Sequence, residues 1–155
     1  MLVDGGPKFL EIAYDASRAD PAETLNVNKV AKKAHLTEVW AATVCNFLRE
    51  RELIQISEDG LTFSITVKGI DYIENLRPNP AVQEDREELL HASRDASRGD
   101  ASAILSLRTI GDSLGWSQMR TRRAFHYLCA KGFLHPCNEE GKFTLAQDRV
   151  AEKAS

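Results

Sequence analysis

The clearest chemistry in the chain lies between residues 117 and 123, where Ser117 is followed by Gln118, Arg120, Arg122 and Arg123. Long cationic side chains behind a small hydroxyl cap, on the exposed first half of a helix, can pair with phosphates or reach guanine edges. The cap also lets the helix end approach a nucleic-acid backbone. The plainer alternative is a solvated basic face on an ordinary helix. A second constellation follows in His126, Cys129, His135 and Cys137. Helix spacing puts the first two on one face and strand alternation does the same for the last two. Spacing does not fix whether the pairs converge, and the Cys-x-x-Cys knuckle of a zinc site is missing, so no metal is expected. Cys45 reads as a core thiol. Nucleophile elbows, phosphate-cradling loops, dinucleotide fingerprints and H-E-x-x-H helices are all absent. Asp15 and Asp95 suggest a pair of acids but sit eighty residues apart in separate repeats. The expectation is a non-enzymatic protein without a cofactor.

Composition narrows the ways such a cationic segment can act. The chain has 155 residues, 43% hydrophobic and 28% charged, with a formal net charge of −3. Cores can form, and a polybasic coat over the whole surface is excluded, so charge-driven binding must be local. Residues 1–77 carry 9 basic and 12 acidic residues, whereas residues 78–155 carry 11 of each. The second half is therefore the better place to look for an anionic partner. Three cysteines without a paired spacing argue against a disulfide framework and for a reducing cytoplasm. No apolar run approaches the roughly 18 residues of a membrane span, and the first ten residues have no signal-peptide pattern. A cytoplasmic protein without a membrane partner is expected.

The elements that must position these residues come in two copies. "YDASRADPAETL" (14–25) and "RDASRGDASAIL" (94–105) spell nearly the same phrase, and an offset of eighty aligns residues 9–75 with 89–155 without a gap. Apolar positions also agree: Val30 meets Ile110, Ala34 meets Leu114, Leu36 meets Trp116, Leu53 meets Phe133 and Ile65 meets Leu145. The segment 78–87, with Pro78 and Pro80, reads as a linker between domains 1–77 and 88–155. In each copy the spacing predicts a first helix, with Phe9, Ile12, Ala13 and Ala16 as one buried stripe, ending at the repeated phrase. Asn26 or Ser106 then caps a short second helix, and Thr37 or Ser117 caps a third that runs to about Glu50 or Ala130. A β-hairpin follows, "LIQIS-EDG-LTFSI" or "FLHPC-NEEGK-FTL". "VKGIDYIENL" closes the first copy with a helix, and "QDRVAEKAS" begins the same in the second. The expected class is mainly α (α+β), each domain having three to four helices plus a short β-hairpin.

That order, with these letters, resembles a tandem winged helix-turn-helix protein. The residues that carry the resemblance are Ile110, Gly111, Leu114, Gly115, Ser117, Arg122, Ala124, Leu128, Gly132, Phe133 and Leu134. They are similar to the DNA-binding domain of gluconate-repressor-type bacterial transcription regulators, with Thr121 where an aliphatic residue is usual. The first copy fits more loosely, His35 and Glu52 standing at the two glycine positions. The resemblance implies a transcriptional regulator that binds double-stranded DNA through the third helix of the second domain in the major groove. Ser117, Gln118, Arg120, Arg122, Arg123 and Lys142 are the expected contacts, although Arg123 has the alternative of pairing with an acid in its own domain.

The first copy departs at those positions, with Glu38, Trp40, Ala42 and Thr43 opposite Gln118, Arg120, Arg122 and Arg123. Such a helix suits a protein better than a phosphate, and Trp40 is a possible interface anchor unless it packs within the chain. The hairpin tips are acidic apart from Lys142, which weakens a phosphate-contacting role for them. Two readings result. One is a regulator in which two joined domains address half-sites about one helical turn (~34 Å) apart. The other is a tandem winged-helix scaffold that binds protein partners, as in kleisin-binding subunits of bacterial condensin and in endosomal-sorting subunits. The closeness of "SLGWSQMRTRRA" to a groove-reading helix favours the first.

Overall fold

The computed structural model describes residues 3–146. The chain is mainly α with two small antiparallel sheets, and it divides between Asn79 and Pro80 into two compact units. The expected closing helix over residues 147–155 lies outside the described residues.

In the first unit, α1 (Gly6–Ser17), β1 (Leu25–Asn26), α2 (Val27–Lys33), α3 (Glu38–Glu50), β2 (Ile54–Ile56), β3 (Thr62–Ile65) and α4 (Val67–Leu76) follow in order. Side-chain caps start α2, α3 and α4. Asn26, Thr37 and Thr66 each accept a hydrogen bond from the backbone N–H three residues on, satisfying a donor the helix cannot. The sheet runs β1-β3-β2, with Leu25 opposite Phe63 and Ile54 opposite Ile65. The expected two-stranded hairpin is thus a three-stranded sheet, because the cap residue Asn26 also pairs with Thr62 before the chain turns into α2. Phe9, Leu10, Val44, Leu48, Ile54, Ile65, Ile70 and Ile73 fill the core, and the Phe9 and Phe63 rings lie 5.2 Å apart.

In the second unit, α5 (Pro80–Ser97), β4 (Leu105–Ser106), α6 (Leu107–Leu114), α7 (Gln118–Ala130), β5 (Leu134–Pro136) and β6 (Lys142–Leu145) repeat the order at the offset of eighty. Ser106 and Ser117 cap α6 and α7, and the sheet β4-β6-β5 sets Leu105 opposite Phe143 and Leu134 opposite Leu145. One boundary differs from expectation. From Pro80 onward the linker predicted over 78–87 is the start of α5, which begins six residues earlier than the equivalent of α1. A proline suits the first helical position, where the missing N–H has no partner to lose, and Val82 and Asp85 are buried within the extension.

The repeated phrase marks a helix stop, but not through its alanines. Ala16 and Ala96 are exposed, while Ser17 and Ser97 are buried and donate hydrogen bonds to the carbonyls of Tyr14 (3.0 Å) and Arg94 (2.8 Å). The inward stripe of α1 is Phe9, Leu10, Ala13, Tyr14 and Ser17. Arg18 and Arg98 then take left-handed backbone, and Asp20 and Asp100 each accept a hydrogen bond from the backbone N–H two residues on at 2.9 Å.

Helix–helix contacts use different residues in the two units. A Cβ on Gly111 of α6 would lie 2.6 Å from Oγ1 of Thr121 on α7, so the glycine admits the threonine. The equivalent buried pair in the first unit is Ala31 and Ala41. Phe125 of α7 meets Phe143 at 5.2 Å, whereas the first unit has Cys45 there and obtains its partner for Phe63 from Phe9 of α1.

Two turns reveal a cost confined to the first unit. Gly115 and Gly132 close α6 and α7 with φ of 74° and 86°. His35 and Glu52 adopt the same left-handed turns with φ of 58° and 61°, which crowds a Cβ against the backbone. His35→Gly and Glu52→Gly are each expected to stabilise the first unit by about 0.5–1 kcal/mol in urea unfolding. A loss of stability in both variants would show that these turns are not strained.

Candidate functional site

Ser117 begins the site by capping α7, its Oγ accepting from Arg120 N–H at 3.2 Å. The first turns of α7 then lie beside α6 and the β5–β6 turn, and together they enclose a groove of about 270 Å³. Trp116 and Thr121 supply inner wall, while Gln118, Arg122, Arg108 and Glu140 bring polar groups to it. Gln118 and Arg122 are one helical turn apart and therefore share a face. Both are exposed, and neither side chain forms a hydrogen bond or ion pair among the described residues. Arg108 reaches only the exposed carboxylate of Asp112, at 4.0 Å, a geometry that contributes little in water.

The remaining arginines are placed differently from the expectation. Arg120 donates through Nε (2.9 Å) and Nη2 (2.8 Å) to the two oxygens of Asp85 on α5, and its guanidinium lies 4.4 Å from the ring centroid of Trp116. This paired fork raises the Arg120 pKa above its ordinary value, chiefly through the hydrogen bonds from its side chain to Asp85. Arg123 Nη2 approaches the same carboxylate at 3.4 Å. Arg123 thus takes the alternative foreseen for it, an acid of its own unit, and Arg120 does so more tightly. Their guanidiniums are part of the packing of α7 on α5, leaving Gln118 and Arg122 as the uncommitted pair of the helix. Lys142 sits in β6 in register with Ser106 and is not part of the groove lining.

No family model matches the chain, and no curated protein matches its sequence.

Trp40 also differs from an open anchor. Its indole N–H donates to the carbonyl of Asp4 at 2.9 Å, and the ring borders Gly5 ahead of α1, leaving the residue 38% exposed. It therefore pins the N-terminal segment to α3. Neighbouring Val39 is 80% exposed.

Sequence reasoning missed Asp85, Arg108 and Glu140. Asp85 lay within the presumed linker, and Arg108 and Glu140 become neighbours of Arg122 only when α6 and the hairpin fold against α7. Among the described residues, no three His, Cys, Asp or Glu side chains are grouped so as to hold a metal. Burial pushes the Cys129 thiol up to about 12 and the Cys45 thiol up to about 11. Nor is any described helix long and apolar enough to cross a membrane.

Two measurements follow from this geometry. Removing both partners in Arg120→Ala/Arg123→Ala leaves the buried Asp85 carboxylate unpaired and is expected to cost about 1–3 kcal/mol of unfolding free energy, against less than about 0.5 kcal/mol for Arg122→Ala. Equal costs would remove the two arginines from the framework. For Cys45, the folded state keeps a proton that the unfolded thiol releases above its ordinary value of 9.0. Its contribution is therefore full below about pH 9 and is lost as pH climbs towards about 11. Cys45→Ala should flatten that part of the stability profile, and an unchanged slope would exclude the thiol as its source.

Proposed function

We propose that the second unit is a winged helix-turn-helix domain that binds double-stranded DNA, with α7 in the major groove, and that the protein is a transcriptional regulator. The observation that carries this reading is the pair Gln118 and Arg122, uncommitted and side by side on the exposed start of a capped helix. A guanidinium in that position can form the bidentate contact with guanine O6 and N7, and a glutamine amide can do the same for adenine. Arg108, held only loosely by Asp112, would supply a contact to a flanking phosphate. The repeated order of helix, strand, two helices and hairpin, with third helices capped by Thr37 and Ser117, supports the fold assignment.

The first unit fits a different role. The exposed start of α3 presents Glu38, Val39, Ala42 and Thr43, with no cation among them, and Val39 at 80% exposure favours a protein partner there over a phosphate.

Titration of the full chain into labelled duplex at two salt concentrations tests the DNA reading. Binding should weaken steeply with salt, and Arg122→Ala should cost about 1–3 kcal/mol of affinity. No binding at low salt, with a protein partner lost on Val39→Asp but kept by Arg122→Ala, would replace the regulator with a scaffold.

A further inference from the structure

The cluster of Asp85, Arg120 and Arg123 contains one acid for two guanidiniums, and its members are unequally sheltered. The Asp85 side chain is 7% exposed, Arg123 22% and Arg120 43%. The outermost arginine thus has the better hydrogen bonds. The inner one reaches Asp85 only through Nη2, while its Nε is buried and meets no acceptor among the described residues. Arg123 therefore carries an unused donor beside a carboxylate that it already touches.

We propose, resting on the duplex-binding reading above, that Arg120 is a latent phosphate contact. Asp85 holds it back in the free protein, and Arg123 replaces it on Asp85 when DNA binds. Release of a buried acid's partner is ordinarily costly because the acid is left uncompensated. Here Arg123 can close its own fork, with Nε and Nη2 both on Asp85, so the carboxylate keeps a bidentate partner and the buried Nε gains an acceptor. Arg120, stacked on Trp116 at the groove wall, then needs only to swing its exposed end outward to meet a phosphate. The device adds one cation to the bound surface without exposing it in the unbound protein, which limits attachment to other polyanions.

The salt dependence of duplex binding by the full chain separates the possibilities, because each phosphate contact contributes about 0.9 to the slope of log K against log salt. Arg120→Ala and Arg120→Gln should each lower the slope by about one. Arg123→Ala should do the same, since Asp85 then has no substitute and retains Arg120. Asp85→Asn should raise affinity several-fold, and added to Arg123→Ala it should restore the wild-type slope. Far-UV circular dichroism checks that every variant is folded. An unchanged slope in both Arg120 variants, with Arg122→Ala still weakening binding, overturns the proposal and leaves the duplex reading intact. A loss in Arg123→Ala that Asp85→Asn does not restore makes Arg123 a direct contact and overturns the exchange. Wild-type protein that fails to bind at low salt overturns both.

Discussion

A carboxylate removed from water must be paired, and in the second unit that requirement ties α5 to α7. Asp85 is 5% exposed and accepts from both Arg120 and Arg123. The pairing explains why α5 extends six residues beyond the length of α1: the extra turns carry the acid to its partners. It also separates the arginines of α7 by role. Two brace the helix against α5, and Arg122 is left to face outward with Gln118. A basic run that looks uniform in one dimension is divided in three by a single acid.

Much of the architecture was legible because its signals are local. Asn26, Thr37, Ser106 and Ser117 cap the helices foreseen for them, since a side-chain oxygen three residues before an unpaired N–H needs no distant partner. The offset of eighty carried both sheets in the same register. What escaped was non-local. The strands Leu25–Asn26 and Leu105–Ser106 are two residues long and exist only because a hairpin lies beside them. The helical stretch from Pro80 was hidden by the prolines at 78 and 80, which resemble a linker until Val82 and Asp85 find a surface. The inward role of Ser17 and Ser97 was missed because polar residues are expected outside. Both satisfy their hydroxyls within the last turn. For the site, Gln118 and Arg122 could be named from spacing, but the occupation of Arg120 depended on an acid thirty-five residues away.

The two units solve the same geometry with different chemistry. Left-handed turns after the second and third helices are made by Gly115 and Gly132 in one and by His35 and Glu52 in the other. The strained version belongs to the unit whose third helix has no cations in its exposed first half. Its Trp40 closes over Asp4 and Gly5, where the second unit has Arg120 over Trp116. Both residues thus tie the third helix of their unit to the region where its first helix begins, Trp40 through the Asp4 carbonyl and Arg120 through the Asp85 carboxylate.

The complementary substitutions inside the cores carry a consequence for how a duplicated chain folds. Tandem repeats risk exchanging equivalent segments during folding. In this protein each segment is keyed to its own neighbours. Thr121 fits beside Gly111 but would meet the methyl group of Ala31, and Phe125 would bring a ring where Phe9 already lies against Phe63. In the opposite exchange, Ala41 and Cys45 would leave space unfilled beside Gly111 and Phe143. Mismatched halves thus suffer either overlap or voids, and the repeat keeps its symmetry of shape while discriminating between self and near-self.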